Sequence, residues 1–168
     1  VKFSGDGPIS VGGFNGDQII RNEDGGEISR FYGYVVDGIF QNWEEVYAHT
    51  NENGKLVQEK AQPGDLRFKD LNHDGTLDEK DKTFIGNPYP DLMMGLNLGF
   101  NYKNFDFKAN FYGTLGNDIY NTTKGLYSGV SGQNVWAGTL NKAWHGEGTS
   151  TDIPRLSYND LNLNYTRV

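Results

Sequence analysis

Twelve consecutive residues hold the densest set of oxygen donors in the chain: Asp70, Leu71, Asn72, His73, Asp74, Gly75, Thr76, Leu77, Asp78, Glu79, Lys80 and Asp81. A hard cation such as Ca²⁺ takes six to eight oxygens, and a 12-residue loop supplies them from positions 1, 3, 5, 7, 9 and 12 around a glycine at position 6. Every one of those positions is filled. Asp70, Asn72 and Asp74 offer side-chain oxygens, Thr76 its backbone carbonyl, Asp78 a direct or water-borne oxygen, and Asp81 the closing carboxylate. Gly75 stands at the bend and Leu77, at position 8, is the apolar anchor. The residues therefore predict a calcium loop with metal ligands Asp70, Asn72, Asp74, Thr76, Asp78 and Asp81. The bland reading of the same letters is a solvated Asn/Asp/Gly turn, which needs no ion.

The closing Asp81 is shorter than the glutamate usual in EF-hands, and in this the loop resembles the dockerin variant. A structural site is expected rather than a calcium switch. Sensors open a pair of helices, and the segment Thr83 to Pro88 after the loop is too short for an exiting helix.

The elements that must position this loop are read from the rest of the chain. Its 168 residues carry a net charge of -7 and no cysteine, so a disulfide or thiolate site is excluded and the charge runs against a nucleic-acid partner. Aromatics at 14% and 23 glycines suit strands and turns better than packed helices. No stretch approaches the roughly 18 apolar residues of a membrane-spanning helix. The chain starts with Val1 and Lys2 in no signal-like pattern, and a segment of something longer is expected.

Residues 1–33 are rich in Gly, Asp and Asn, with a turn at Asp24, Gly25 and Gly26 and a short apolar run at Gln18, Ile19 and Ile20. Asn42 followed by Trp43 and Glu45 predicts a capped short helix. From Leu92 the pattern changes to alternation, with Met93, Gly95, Asn97, Gly99 and Asn101 between the apolar positions. Leu92, Met94, Leu96, Leu98, Phe100 and Tyr102 are apolar, and Phe105, Phe107, Ala109 and Phe111 continue the rule past Lys103 and Asn104. A two-residue turn there sets Tyr102 against Phe105, Phe100 against Phe107, Leu98 against Ala109 and Leu96 against Phe111. The other face then pairs Asn101 with Asp106, Gly99 with Lys108, Asn97 with Asn110 and Gly95 with Tyr112. Eleven residues match the roughly 9 to 11 of a tilted membrane strand. A half-buried antiparallel hairpin on a soluble core alternates in the same way. After Gly116 a long polar loop with Trp136 and Trp144 is expected.

Several of these segments together carry a resemblance. Residues 33–41 (GYVVDGIFQ), 63–75 (PGDLRFKDLNHDG), 85–88 (IGNP), 102–106 (YKNFD), 116–121 (GNDIYN) and 153–156 (IPRL) are similar in order and spacing to the C-terminal part of SusC/RagA-type TonB-linked (TonB-dependent) outer-membrane proteins of Bacteroidetes. The resemblance covers most of the chain beyond Phe31. It implies an all-β fold class: antiparallel strands of a partial transmembrane β-barrel with long extracellular loops, one carrying the EF-hand/dockerin-like loop. In that arrangement 31–91 is an extracellular loop with the calcium site, 92–113 the hairpin and 114–160 a second extracellular loop. It further implies nutrient uptake of glycans or peptides across the outer membrane, a SusD/RagB-like surface lipoprotein as partner, and TonB as energy source. The chain lacks a plug, a TonB box and its final strands, so a transporter fragment is expected.

The residues leave a second class open, a secreted soluble β-module braced by calcium that holds a glycan on loop aromatics such as Trp43, Tyr127, Trp136 and Trp144. Lipid dependence separates the two. Catalysis finds no support in motif: His49, His73 and His145 lie in no metalloprotease pattern, and there is no nucleophile elbow or phosphate loop. Asp37, Glu44 and Glu45 are the carboxylates whose convergence would reopen the question. Asn121 and Asn164 each begin an N-x-T triplet, a pattern short enough to arise by chance.

Overall fold

The computed structural model of the chain describes residues 2, 7–14, 17–121 and 135–157. Strands form, as the composition predicts, and among the described residues they pair antiparallel throughout, in one four-stranded sheet and two two-stranded ones. Among the described residues no helix is long and apolar enough to cross a membrane, which says nothing of a β-barrel.

The four-stranded sheet is ordered β1 (Ile9–Phe14), β2 (Asp17–Asn22), β3 (Arg30–Tyr34) and then β6 (Lys82–Gly86). The short run at Gln18 to Ile20 does become a strand, and the turn at Asp24 to Gly26 forms with Gly26 N–H donating to the Glu23 carbonyl at 3.1 Å. Between β3 and β6 the chain makes β4 (Val36–Ile39), which pairs with β5 (Leu66–Phe68). Asp37 is the extra residue of a bulge in β4, because Val36 faces Phe68 while Gly38 already faces Arg67.

Helix α1 (Trp43–Ala48) forms where the cap predicts it. The Asn42 side chain accepts from Glu45 N–H at 3.0 Å, and the Glu45 carboxylate accepts from Gln41 N–H at 2.9 Å, one residue earlier than a strict capping box. Glu44 and Glu45 in the first turn complement the positive end of the helix dipole. Its one buried side chain, Val46, packs with Phe40 and Ala61. A second cluster joins Ile39, Leu66 and Phe68, with Tyr34, Val36, Leu77 and Trp144 against it. Phe40 and Leu66 are essentially inaccessible to solvent, and each stabilises the fold by about 1.5–3 kcal/mol on burial. Residues 31–91 are therefore a folded layer with its own small cores.

The hairpin β7 (Leu92–Tyr102) and β8 (Phe105–Leu115) holds the predicted register at all eight pairs and extends it to Leu92 opposite Leu115. Lys103 takes a positive φ of 54° at the turn, which a two-residue hairpin loop demands. Both faces are exposed. Leu98 keeps 47% of its surface open and Tyr112 88%, and Phe100 stacks on Phe107 with ring centroids 5.1 Å apart.

The stretch after Gly116 departs from expectation. It is not polar loop alone, since α2 (Ala137–Lys142) forms between Trp136 and Ala143. Ala137, Leu140 and Lys142 are good helix formers, and the run is too short for periodicity to reveal it. Residues 122–134 and 158–160 of the expected second loop, with Tyr127, lie outside the described residues, as do the rest of the Asn121 triplet and all of the Asn164 one.

Candidate metal centre

β5 delivers the chain into the acidic loop and β6 takes it away, so the loop is held at both ends by sheet. A short 3-10 turn over Glu79–Asp81 closes it. Leu77 packs on the Ile39, Leu66 and Phe68 cluster, as an apolar anchor should, and its N–H donates to the Val57 carbonyl at 3.4 Å. Gly75 has φ +79°, and a side chain there would collide with Asn51. Asn51 is itself committed, accepting from Asn53 N–H at 3.0 Å and Lys55 N–H at 2.9 Å. The position thus needs glycine for two reasons: backbone conformation and space.

The loop's side chains fold back on its own amides. Asp70 Oδ2 accepts from Gly75 N–H at 2.7 Å, Asn72 Oδ1 from Asp74 N–H at 2.9 Å, and Asp74 Oδ1 from Thr76 N–H at 2.9 Å. Asp78 Oδ1 accepts from Lys80 N–H at 2.8 Å. Asp81 is wholly buried; its Oδ1 accepts from Leu71 N–H at 2.9 Å and its Oδ2 from Asp78 N–H at 2.8 Å. The final carboxylate therefore clasps the start of the loop to its end, a task the spacing alone did not reveal.

Whether these residues fit a cation turns on what the amides leave over. Among the described residues no three acidic or histidine side chains converge closely enough to form a carboxylate-only cage. An oxygen-rich loop does not need one, because Asn72 and the Thr76 carbonyl supply uncharged donors. Asp70 Oδ1 is buried with no hydrogen-bond partner. A buried acceptor left unpaired is costly, and a cation at the first loop position would satisfy it. By donor type Asp70, Asn72, Asp74, Thr76 and Asp78 suit a hard cation, while both oxygens of the buried Asp81 are engaged by amides and a cation would have to share them. His73, at a non-ligand position, is exposed with φ 59°.

His49 ends α1 behind the loop, edge-on to Phe40 at 5.5 Å between centroids. Burial holds its pKa below the ordinary histidine value, and the Arg67 charge adds to that, against the opposite pull of a hydrogen bond to the Phe68 backbone and of the Asp37 and Asp70 charges. Its Nε2 is buried without a partner.

Asp37 and Glu45 do meet, but around a cation. Arg67 Nε lies 3.2 Å from Asp37 and Nη1 4.0 Å from Glu45, and Lys69 adds a third contact to Asp37 at 3.5 Å. Glu44 stays on the exposed side of α1. Carboxylates neutralised in this way are poorly placed to share a proton with a substrate.

The loop aromatics divide. Trp43 and Tyr47 are exposed and stacked, 5.7 Å between centroids, and Trp136 is half open. Trp144 is partly buried: it packs on the Leu66 cluster, and its Nε1–H donates to Gln41 Oε1 at 3.2 Å. Arg155 joins the same region through Asp65, with Nε donating to Oδ1 at 2.7 Å. Pattern reading missed this pair, although the opposite charges stood in two of the quoted segments, PGD and IPR.

No protein-family model matches the chain. Three curated proteins do. The chain is 36% identical over 138 residues to TonB-dependent receptor P3 of Formosa agariphila, 82% of this chain and 13% of that protein. It is 30% identical over 131 residues to TonB-dependent receptor P26 of the same organism, 78% of this chain and again 13% of the relative. TonB-dependent receptor SusC of Bacteroides thetaiotaomicron is 30% identical over 142 residues, 79% of this chain and 13% of the relative. The chain thus spans roughly an eighth of the length of these receptors. Over the stretch it shares with them, it belongs to the SusC-type TonB-dependent receptor family.

Proposed function

We propose that this chain is part of the β-barrel wall, with its outward loops, of an outer-membrane TonB-dependent transporter that imports glycans or peptides. The observation that carries the reading is the hairpin. An eleven-residue strand sets Leu92, Met94, Leu96, Leu98, Phe100 and Tyr102 on one face, its partner adds Phe105, Phe107 and Phe111, and all of these are exposed, while the positions between them are small or polar except Met93 and Tyr112. Water disfavours such a face, whereas a bilayer accepts it. The opposite face, with Asn97, Asn101, Asp106, Lys108 and Asn110, then lines the lumen. A secreted soluble module would bury Leu98 in a core, and its 47% exposure argues against that alternative.

On this reading residues 31–91 form an outward loop layer that a Ca²⁺ ion, bound by Asp70, Asn72, Asp74, Thr76, Asp78 and Asp81, keeps rigid. The ion is structural: the segment that follows the loop is strand β6 rather than a helix that could swing. A SusD/RagB-like surface lipoprotein and TonB are the partners of the complete receptor, and its role is uptake rather than catalysis.

The test compares neighbouring substitutions in the complete receptor. Leu98→Arg should cost about 2–4 kcal/mol near the bilayer middle and reduce assembly, while Asn97→Arg, on the lumen side, should assemble normally. Equal assembly of the two variants in outer-membrane fractions would contradict the proposal.

A further inference from the structure

The four-stranded sheet carries a row of cations on one face that neither the loop nor the hairpin uses. Arg21 on β2 and Arg30 on β3 are direct cross-strand partners, so their side chains share a face. Arg21 Cζ lies 4.3 Å from the centre of the Tyr32 ring and Arg30 Cζ 3.9 Å from that of Phe84, two rings that are themselves partners across β3 and β6.

Like charges set directly opposite each other in a sheet repel, and in a chain of net charge -7 an acidic residue to offset them would be easy to supply. One is present. Glu23 pairs with Arg21 Nη2 at 2.9 Å. Arg30 has no acidic partner among the described residues, and Arg21 Nε is buried without an acceptor. A guanidinium that rests on a ring has one face covered and its N–H groups directed outward in its own plane, where a two-oxygen acceptor can bridge them.

We propose that Arg21 and Arg30 form a binding site for an oxyanion, a carboxylate or sulfate group on a ligand of the receptor. The aromatic rings fix the two forks, Glu23 offsets the Arg21 charge, and the Arg30 charge is left for the anion. The proposal deepens the receptor reading by giving it an anionic ligand class; it rests on that reading for how the ligand arrives and not for the site itself.

The test is equilibrium dialysis of the complete receptor, solubilised in detergent, against labelled sulfate and in a separate arm labelled acetate, at constant ionic strength. Saturable binding of either anion at one site is expected, and the arm that binds more tightly identifies a sulfated or a carboxylated ligand. Arg30→Gln should weaken it at least ten-fold, and Arg30→Lys, which keeps the charge but loses the fork, should weaken it nearly as much. Glu23→Gln should tighten it several-fold by releasing Arg21, an effect that a purely structural role for the pair would not produce. Absence of saturable binding in both arms, or unchanged binding in Arg30→Gln, would overturn the site. Failure of the site and failure of the barrel reading are distinguishable, because the Leu98 and Asn97 variants report assembly whether or not an anion binds.

Discussion

Arg155 reaches back across 90 residues to Asp65, with Nε 2.7 Å and Nη2 3.3 Å from the two carboxylate oxygens of a side chain that is only 2% exposed. The same strand of contacts continues through the backbone, where Arg155 N–H donates to the Gly64 carbonyl at 2.8 Å, and Trp144 and Arg155 fill the space where Gly64 would carry a side chain. Segment 144–155 is thereby fastened onto the layer that holds the acidic loop.

Removing one half of this pair should be expensive. Arg155→Ala leaves the Asp65 carboxylate buried without its cation, a loss on the order of 3 kcal/mol. Limited proteolysis of the complete receptor should show new cleavage within 144–155 in this variant and much less in the double variant Asp65→Asn with Arg155→Gln. Equal cleavage in both would mean the segment is held by Trp144 and Gln41 alone.

For the loop, calorimetry with Ca²⁺ should detect binding that Asp70→Ala combined with Asp74→Ala abolishes, and Mg²⁺ should compete poorly because it demands a stricter octahedron. Gly75→Ala should also lose calcium affinity by at least ten-fold, through its φ of +79° and the clash with Asn51. Adding Asn51→Ala should recover only part of that loss, since the backbone strain stays. Undiminished calcium binding in the Asp70 and Asp74 double variant would remove the ion from the account.

The pH dependence follows from His49. Its folded pKa is lowered, burial being the first cause and Arg67 the second. Between that lowered value and the ordinary 6.5 the unfolded chain binds the proton and the folded one does not. Stability is therefore full above the ordinary value and declines as pH falls through it. Thermal unfolding of the loop layer at pH 7.5 and 5.5 should show a drop that is smaller in His49→Gln. An equal drop in both proteins would assign the effect to carboxylates instead.

Legibility in the sequence tracked local physics. The hairpin register was readable to the residue because a period of two and a two-residue turn leave no slack, and α1 was readable because Asn42 and Glu45 cap it within four residues. The bend at Gly75 and the packing of Leu77 were readable for the same reason. What pattern could not show is contact across distance: Asp81 clasping Leu71, Asn51 filling the space beside Gly75, and Arg155 reaching Asp65. None has a spacing rule. The membership of Arg21 and Arg30 in one sheet face was equally hidden, since it depends on which strand lies beside β2.

The most direct test of the barrel reading is the environment of the hairpin faces in the complete receptor. This chain has no cysteine of its own, so with any cysteine elsewhere in the receptor replaced by serine, single cysteines placed at 96 to 101 can each carry a spin label. In lipid vesicles, labels at Leu96, Leu98 and Phe100 should be accessible to oxygen, which concentrates in the bilayer, while those at Asn97, Gly99 and Asn101 should be accessible to a water-soluble nickel chelate. Alternation with a period of two in that phase is the predicted result. Chelate access at all six positions, or protection of Leu96, Leu98 and Phe100 from both reagents as in a protein core, would contradict the account.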